Sequence, residues 1–270
     1  PYQVLGKNLY FLAEKVSSHG YKVYELREKI PSEFPLTIKV TEDTLENDYY
    51  HIEIRDGKIN SIYDKELNRE LVNKESTYNF NEYIYVEGGK GSRIEFGPIT
   101  IPIMKRFVKE EPPYPSLNIY RSKTKIVKIE NGPLFSSFTL EGFCKNTPII
   151  KSKIRVFKNI KRIDLINILQ KEETYEKEAA YFVFPFSFKN PEIKLEIPNG
   201  IIRPELDQME GACKEWYAVQ HWLSLSDNSL TVTFSPIHSP LICLNDINRG
   251  KWPKRLEGLD GTVFAYILNN

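Results

Sequence analysis

The sequence predicts an all-β protein built as a large antiparallel β-sandwich, and three observations lead there. Aromatic residues make up 13% of the chain, with 16 Tyr and 15 Phe, and these side chains suit pleated, half-buried surfaces. Apolar and polar residues alternate with period two over long runs, notably residues 125–129, 134–143, 148–157 and 162–170, as half-buried strands require. No segment holds a 3.6-residue period over three turns, so helices should be sparse. At 270 residues the chain suits one large β domain preceded by a smaller piece.

Taken in order, Leu9 to Ala13 and Tyr21 to Leu26 read as two strands around a Ser17-Ser18-His19-Gly20 turn. Pro31 and Pro35 then interrupt the pattern. The expected boundary is near residue 33, between a small piece over residues 1–33 and the large sandwich over 34–270. Residues 36–40 and 49–54 alternate, and Asp56-Gly57 is a two-residue hairpin signal returning through residues 58–63. Asp64 can cap a short helical turn over residues 64–71. Residues 78–87 form a further aromatic-rich strand, Gly88-Gly89-Lys90-Gly91-Ser92 a glycine loop, and residues 99–115 an irregular proline-rich stretch. Later strands are expected at 181–188, 193–197, 230–234, 241–244 and 262–268.

Composition removes several classes of function. A net charge of +1 without basic blocks gives no footprint for nucleic acid. Cys144, Cys213 and Cys243 have no CxxC spacing, which argues against a disulfide framework or a cysteine zinc site and fits reduced thiols in the cytoplasm. No apolar run reaches membrane-spanning length, and residues 1–20 lack a signal-peptide layout. The start at Pro1, without Met, leads to the expectation of a piece of a longer polypeptide. Gly88-Gly89-Lys90-Gly91 falls short of a phosphate loop, and no GxSxG elbow occurs. His51 and Glu53 share a strand face that should look to solvent, opposite Ile52 and Ile54. His221 is read as a hydrogen-bonded structural histidine, with a catalytic base as the other reading.

One stretch stands out. Between Pro198 and Trp222, turn formers, both signs of charge, Cys213, Met209 and two Trp are crowded together. Asn199-Gly200 marks a tight turn, Pro204 removes a backbone donor, and a polar excursion intervenes before strand character resumes at Trp216–Trp222. Arg203, Glu205, Asp207 and Glu210 there suit two roles equally: fixing the loop, or gripping sugar hydroxyls beside a flat Trp face.

Residues 199–208 and 216–222 together resemble the C-terminal β domain of the glycoside hydrolase family 38 α-mannosidases. So do Gly57 to Val72, Gly20-Tyr21-Lys22-Val23-Tyr24, Phe234-Ser235-Pro236 with Ser239-Pro240-Leu241-Ile242, and Phe264 to Asn270. The matches run in order along almost the whole chain. The resemblance implies a galactose-mutarotase-like supersandwich over residues 34–270, with residues 1–33 the last strands of a small linking β domain, and strands beyond Asn270. It also implies that the zinc ligands and the nucleophilic carboxylate lie in N-terminal catalytic and helical domains upstream. The chain is then a non-catalytic portion, with no catalytic or metal-binding residue of its own, that packs on those domains. Arg203, Asp207 and Gln208, with Gln220 behind them, become the expected rim residues of a pocket for mannose-containing carbohydrate. A free-standing carbohydrate-binding module, suggested by Trp216, Trp222 and Trp252, and a mutarotase-like epimerase remain as alternatives.

Overall fold

A computed structural model describes residues 1–27, 33–89, 116–251, 253, 255–256 and 258–269. Among these the fold is all β, with no helix and every ladder antiparallel. The linker prolines are split by this limit, with Pro31 outside the described residues. The proline-rich stretch 99–115, most of the glycine loop and Trp252 also lie outside them.

The chain opens with a hairpin, β1 (Tyr2–Leu5) and β2 (Asn8–Phe11). Leu5 faces Asn8 across a two-residue turn in which Gly6 takes φ 60°, a conformation glycine adopts without steric cost. This strand pair replaces the expected one. The turn at Ser17–Gly20 forms, closed by Gly20 N–H donating to Ser17 O at 3.1 Å. Tyr21 to Leu26, however, stays out of any strand. Alternation alone does not make a strand, because the backbone also needs a ladder partner, and β2 is already paired with β1. The hairpin is pinned to the sandwich by Gln3, whose buried Oε1 accepts the N–H groups of Leu134 and Phe135. Tyr10 adds an edge contact to Phe135 at 5.1 Å.

Next comes a five-stranded sheet of β3 (Lys39–Val40), β4 (Thr44–Glu46), β5 (Tyr50–Arg55), β6 (Lys58–Asp64) and β7 (Arg69–Glu70), in that spatial order. The Asp56-Gly57 turn forms with φ 50° and 69° at its two residues, the left-handed pair that a type I′ hairpin needs. Asp64 does act as a cap, Oδ1 accepting from Glu66 N and Leu67 N at 3.0 Å each. The expected helical turn is instead a tight turn into β7, since Arg69 and Glu70 gain more by pairing with β6. As expected, Ile52 and Ile54 are buried while His51 and Glu53 share the outer face, 3.4 Å apart.

The long predicted strands appear as one four-stranded meander: β10 (Lys123–Glu130), β11 (Phe135–Cys144), β12 (Thr147–Phe157) and β13 (Ile163–Gln170). Its inner face carries Phe138, Leu140, Ile150 and Ile154, all buried. A six-stranded sheet runs β17 (Tyr217–Ala218), β20 (Leu241–Leu244), β21 (Thr262–Asn269), β14 (Glu178–Pro185), β8 (Glu82–Gly88), β9 (Leu117–Arg121). Apolar clusters cover both of its faces, which explains why Tyr83-Ile84-Tyr85-Val86 and Tyr181-Phe182-Val183-Phe184 read as continuous apolar runs. The last sheet orders β16 (Gly200–Ile202), β15 (Glu192–Ile197), β18 (Leu223–Ser226) and β19 (Thr231–Phe234). One contiguous core joins the inner faces of these sheets through Ile62, Phe138, Phe184, Leu195 and Leu223.

Candidate functional site: the loop after β16

The polar excursion sits where β16 leaves its sheet. Its entry turn is one residue earlier than the Asn-Gly pair suggests. Ile197 pairs with Gly200, so Pro198 and Asn199 form the turn, with Asn199 at φ 62°. Proline presets the first turn residue and Asn tolerates the left-handed second one.

Arg203 and Asp207 then close the loop on itself. The Asp207 carboxylate accepts from Arg203 Nε and Nη2, both at 3.0 Å, and from Arg203 N at 2.7 Å. Asp207 N–H donates back to Arg203 O at 3.1 Å. These bonds, the guanidinium's first, hold the Asp207 carboxyl down at about 2 against an ordinary 3.8. Because the folded value lies below the unfolded one, this clasp favours the closed loop at all pH above the ordinary value and is lost as pH falls through about 2. The carboxyl carbon shift of Asp207, followed by NMR, should titrate near 2, and a midpoint near 4 would show an open clasp.

Gln208 turns inward and knits the loop's underside. Its Oε1 receives Glu205 N at 3.3 Å, Lys214 Nζ at 3.4 Å and Tyr217 OH at 3.4 Å, and its Nε2 donates to Cys213 O at 3.3 Å. Lys214 is buried and lies 3.5 Å from Glu205 Oε1, which also accepts Leu256 N at 2.7 Å. Burial raises the Tyr217 hydroxyl, with Glu205 adding to the shift. Beside it, buried Glu215 accepts the N–H groups of Arg249 and Lys251. The loop is thus a braced projection, fastened below by a buried Lys among carboxylate and amide oxygens. Its crest carries Leu206 and Met209, exposed by 72% and 84%.

The four expected rim residues therefore divide. Arg203 and Asp207 are joined at the loop's neck and both are partly open to solvent. Gln208 is committed to bracing. Gln220 is exposed on the far side of β15, its N–H donating to Glu196 O at 2.9 Å, and no hydrogen bond between described residues joins it to the other three. His221 does meet a carboxylate, Nδ1 lying 3.1 Å from Glu196 Oε2, but on an exposed surface and not in a pocket. Lys214, Tyr217 and the apolar crest escaped sequence reasoning. Their roles depend on which side of the loop faces the sheet, and only the Trp216-Tyr217 aromatic pair hinted at that. Among the described residues no group of three or more His, Cys, Asp or Glu is placed to hold a metal ion.

Among the described residues the architecture is an all-β sandwich that carries a braced surface loop. Residues 45–236 match the glycosyl hydrolases family 38 C-terminal domain, and the chain belongs to that family. Two solved structures share the fold. One is an α-mannosidase from Enterococcus faecalis V583, with TM-score 0.55 and 11% identity over 88% of this chain. The other is a glycosyl hydrolase family 38 protein from Enterococcus faecalis, with TM-score 0.55 and 12% identity over 90% of this chain. The present chain spans only 27% and 28% of those chains. No curated protein matches it.

Proposed function

We propose that this chain serves as the non-catalytic C-terminal portion of a retaining α-mannosidase, docking on the catalytic domain and shaping the rim of its sugar pocket. The family match over residues 45–236 carries the reading. In such an enzyme one carboxylate attacks the anomeric carbon and a second acts as acid and base. Zinc would hold sugar hydroxyls and offset developing charge. Both belong to domains outside these residues, with mannose-containing carbohydrate as the substrate. The three free thiols fit a reducing, cytoplasmic setting.

The loop supplies two elements for this role. Leu206 and Met209 offer an apolar anchor, of the kind that marks a protein contact. Arg203, held by Asp207, keeps Nη1 without a hydrogen bond among the described residues and can reach a sugar hydroxyl. In the full-length enzyme, Arg203→Ala should lower kcat/KM by about tenfold, a loss near one hydrogen bond to a charged group, with zinc content unchanged. Unaltered kinetics would reduce the loop to a brace. The isolated 270 residues should not hydrolyse aryl α-mannosides with or without zinc, and zinc-dependent turnover by them would overturn the proposal. The reading as a free-standing module loses support from geometry, since Trp216 and Trp222 are both half-buried.

A further inference from the structure

The sandwich has an opening well away from the Arg203 loop. A cleft of about 470 Å³ lies between β13 on one side and β19 on the other. Both are edge strands: among the described residues β13 pairs only with β12, and β19 only with β18. The floor is aromatic and rigid. Phe186 packs edge-on against Phe80 at 5.1 Å, and Phe234 lies against Phe184 at 4.6 Å. The mouth is polar. Asp64, almost fully buried, accepts the Lys161 ammonium at 2.8 Å, and Lys161 also reaches Glu66 at 2.7 Å. Opposite them runs the β19 edge, whose outward backbone amides and carbonyls have no strand beside them among the described residues.

Three properties define an occupant. The volume falls within the roughly 300–1,000 Å³ of small-molecule sites. The ionic groups at the mouth are engaged with one another, Lys161 with Asp64 and Glu66, and Arg162 with Asp164 at 2.9 Å; the surplus carboxylate disfavours an anion, and each carboxylate already holds a cation. Aromatic faces below and hydrogen-bonding edge amides above ask for a neutral ring with one apolar face and a girdle of hydroxyls. A lipid chain would leave those amides and the Asp64–Lys161 pair desolvated and unanswered. We infer that the cleft between β13 and β19 binds a pyranose ring, stacked on Phe234 and hydrogen-bonded through its hydroxyls to the β19 edge and the Asp64–Lys161 pair. This goes beyond the proposed role of the Arg203 loop and does not depend on it.

The test is a titration of methyl-labelled protein with methyl α-mannopyranoside and methyl β-galactopyranoside, and in parallel with an apolar anionic dye and an extended apolar peptide. A pyranoside should shift the methyl signals of Ile62 and Leu165, which line the cleft. Val232→Trp and Ile163→Trp, filling the space from opposite walls, should each weaken that response by about tenfold or more. Thermal melts show that each variant is folded, and either one suffices. The inference is overturned if neither pyranoside moves those methyls, if only the dye or the peptide does, or if the sugar response survives in a folded Trp variant. None of these outcomes bears on the Arg203→Ala kinetics.

Discussion

Arg121→Ala should destabilise the protein by about 3 kcal/mol, because it strands a buried carboxylate without its counter-ion. Glu82 lies in β8 with its side chain only 2% exposed. It accepts from Arg121 Nε at 2.8 Å and Nη2 at 2.5 Å, and from Asn79 N and Nδ2 at 2.8 and 3.0 Å. Lys58 is the nearest other cation among the described residues, at 4.0 Å. The outer half of Arg121 is solvated, which places the loss at the lower end of the range for broken buried pairs. A drop of this size corresponds to about 6–12 °C in melting temperature for a chain of this length. The second half of the test is the double variant with Glu82→Gln. A neutral amide in place of the stranded charge should recover more than half of the loss. If the double variant is no more stable than Arg121→Ala, the cost lies in lost packing against Tyr78, over whose ring the guanidinium sits at 5.6 Å.

Gly57→Ala should cost about 2–5 kcal/mol by two separate routes. Gly57 sits at φ +69°, where a Cβ is strained by roughly 1–2 kcal/mol. An added Cβ would also lie 1.9 Å from the carbonyl oxygen of Thr124. That oxygen belongs to the backbone of β10, so the hairpin tip must lift off the four-stranded sheet, an overpacking cost of about 1–3 kcal/mol. Lifting also breaks the bond from Thr124 Oγ1 to Gly57 O at 2.6 Å. Urea unfolding gives the free energy. A loss below about 1 kcal/mol would mean that the tip moves without resistance.

The Gly57 site shows how far the sequence could be read. Asp-Gly between two alternating runs announced the hairpin and its turn type, because left-handed conformations restrict residue choice so strongly. What pressed against the turn was invisible, since Thr124 is far along the chain. The same contrast recurs. Residues 134–143, 148–157 and 162–170 were legible as strands to within about two residues, because one face of each is buried and period two survives. The three-residue β16 left no such signature, and of the strand character expected over Trp216–Trp222 only the two-residue β17 forms. Tyr21 to Leu26 carried the right signature without a partner strand. At the candidate site, proline, glycine and charge located the loop. Its bracing by Gln208, Lys214 and Tyr217 depends on side-chain direction, which composition does not encode. The cleft between β13 and β19 was hidden altogether, since its walls come from segments scattered between Tyr50 and Phe234.

The six-stranded sheet has a consequence for how the molecule is made. Ile84 lies beside Tyr181, and Tyr181 beside Tyr266, so its central strands come from three distant parts of the chain. A ribosome delivering the chain at about 5–20 residues per second exposes β8 for many seconds before β21 emerges. During that time Tyr83-Ile84-Tyr85-Val86 can pair with β9 and then β14, but Ile84 and Val86 still lack Cys243, Phe264 and Tyr266, with which they form one apolar cluster. High contact order slows closure further. The four-stranded meander, whose neighbours are consecutive in sequence, can assemble early and serve as the template on which the late sheet condenses. Assembly of this sheet is therefore ordered in time by the order of its strands, and its second apolar face closes only once β20 and β21 are in place.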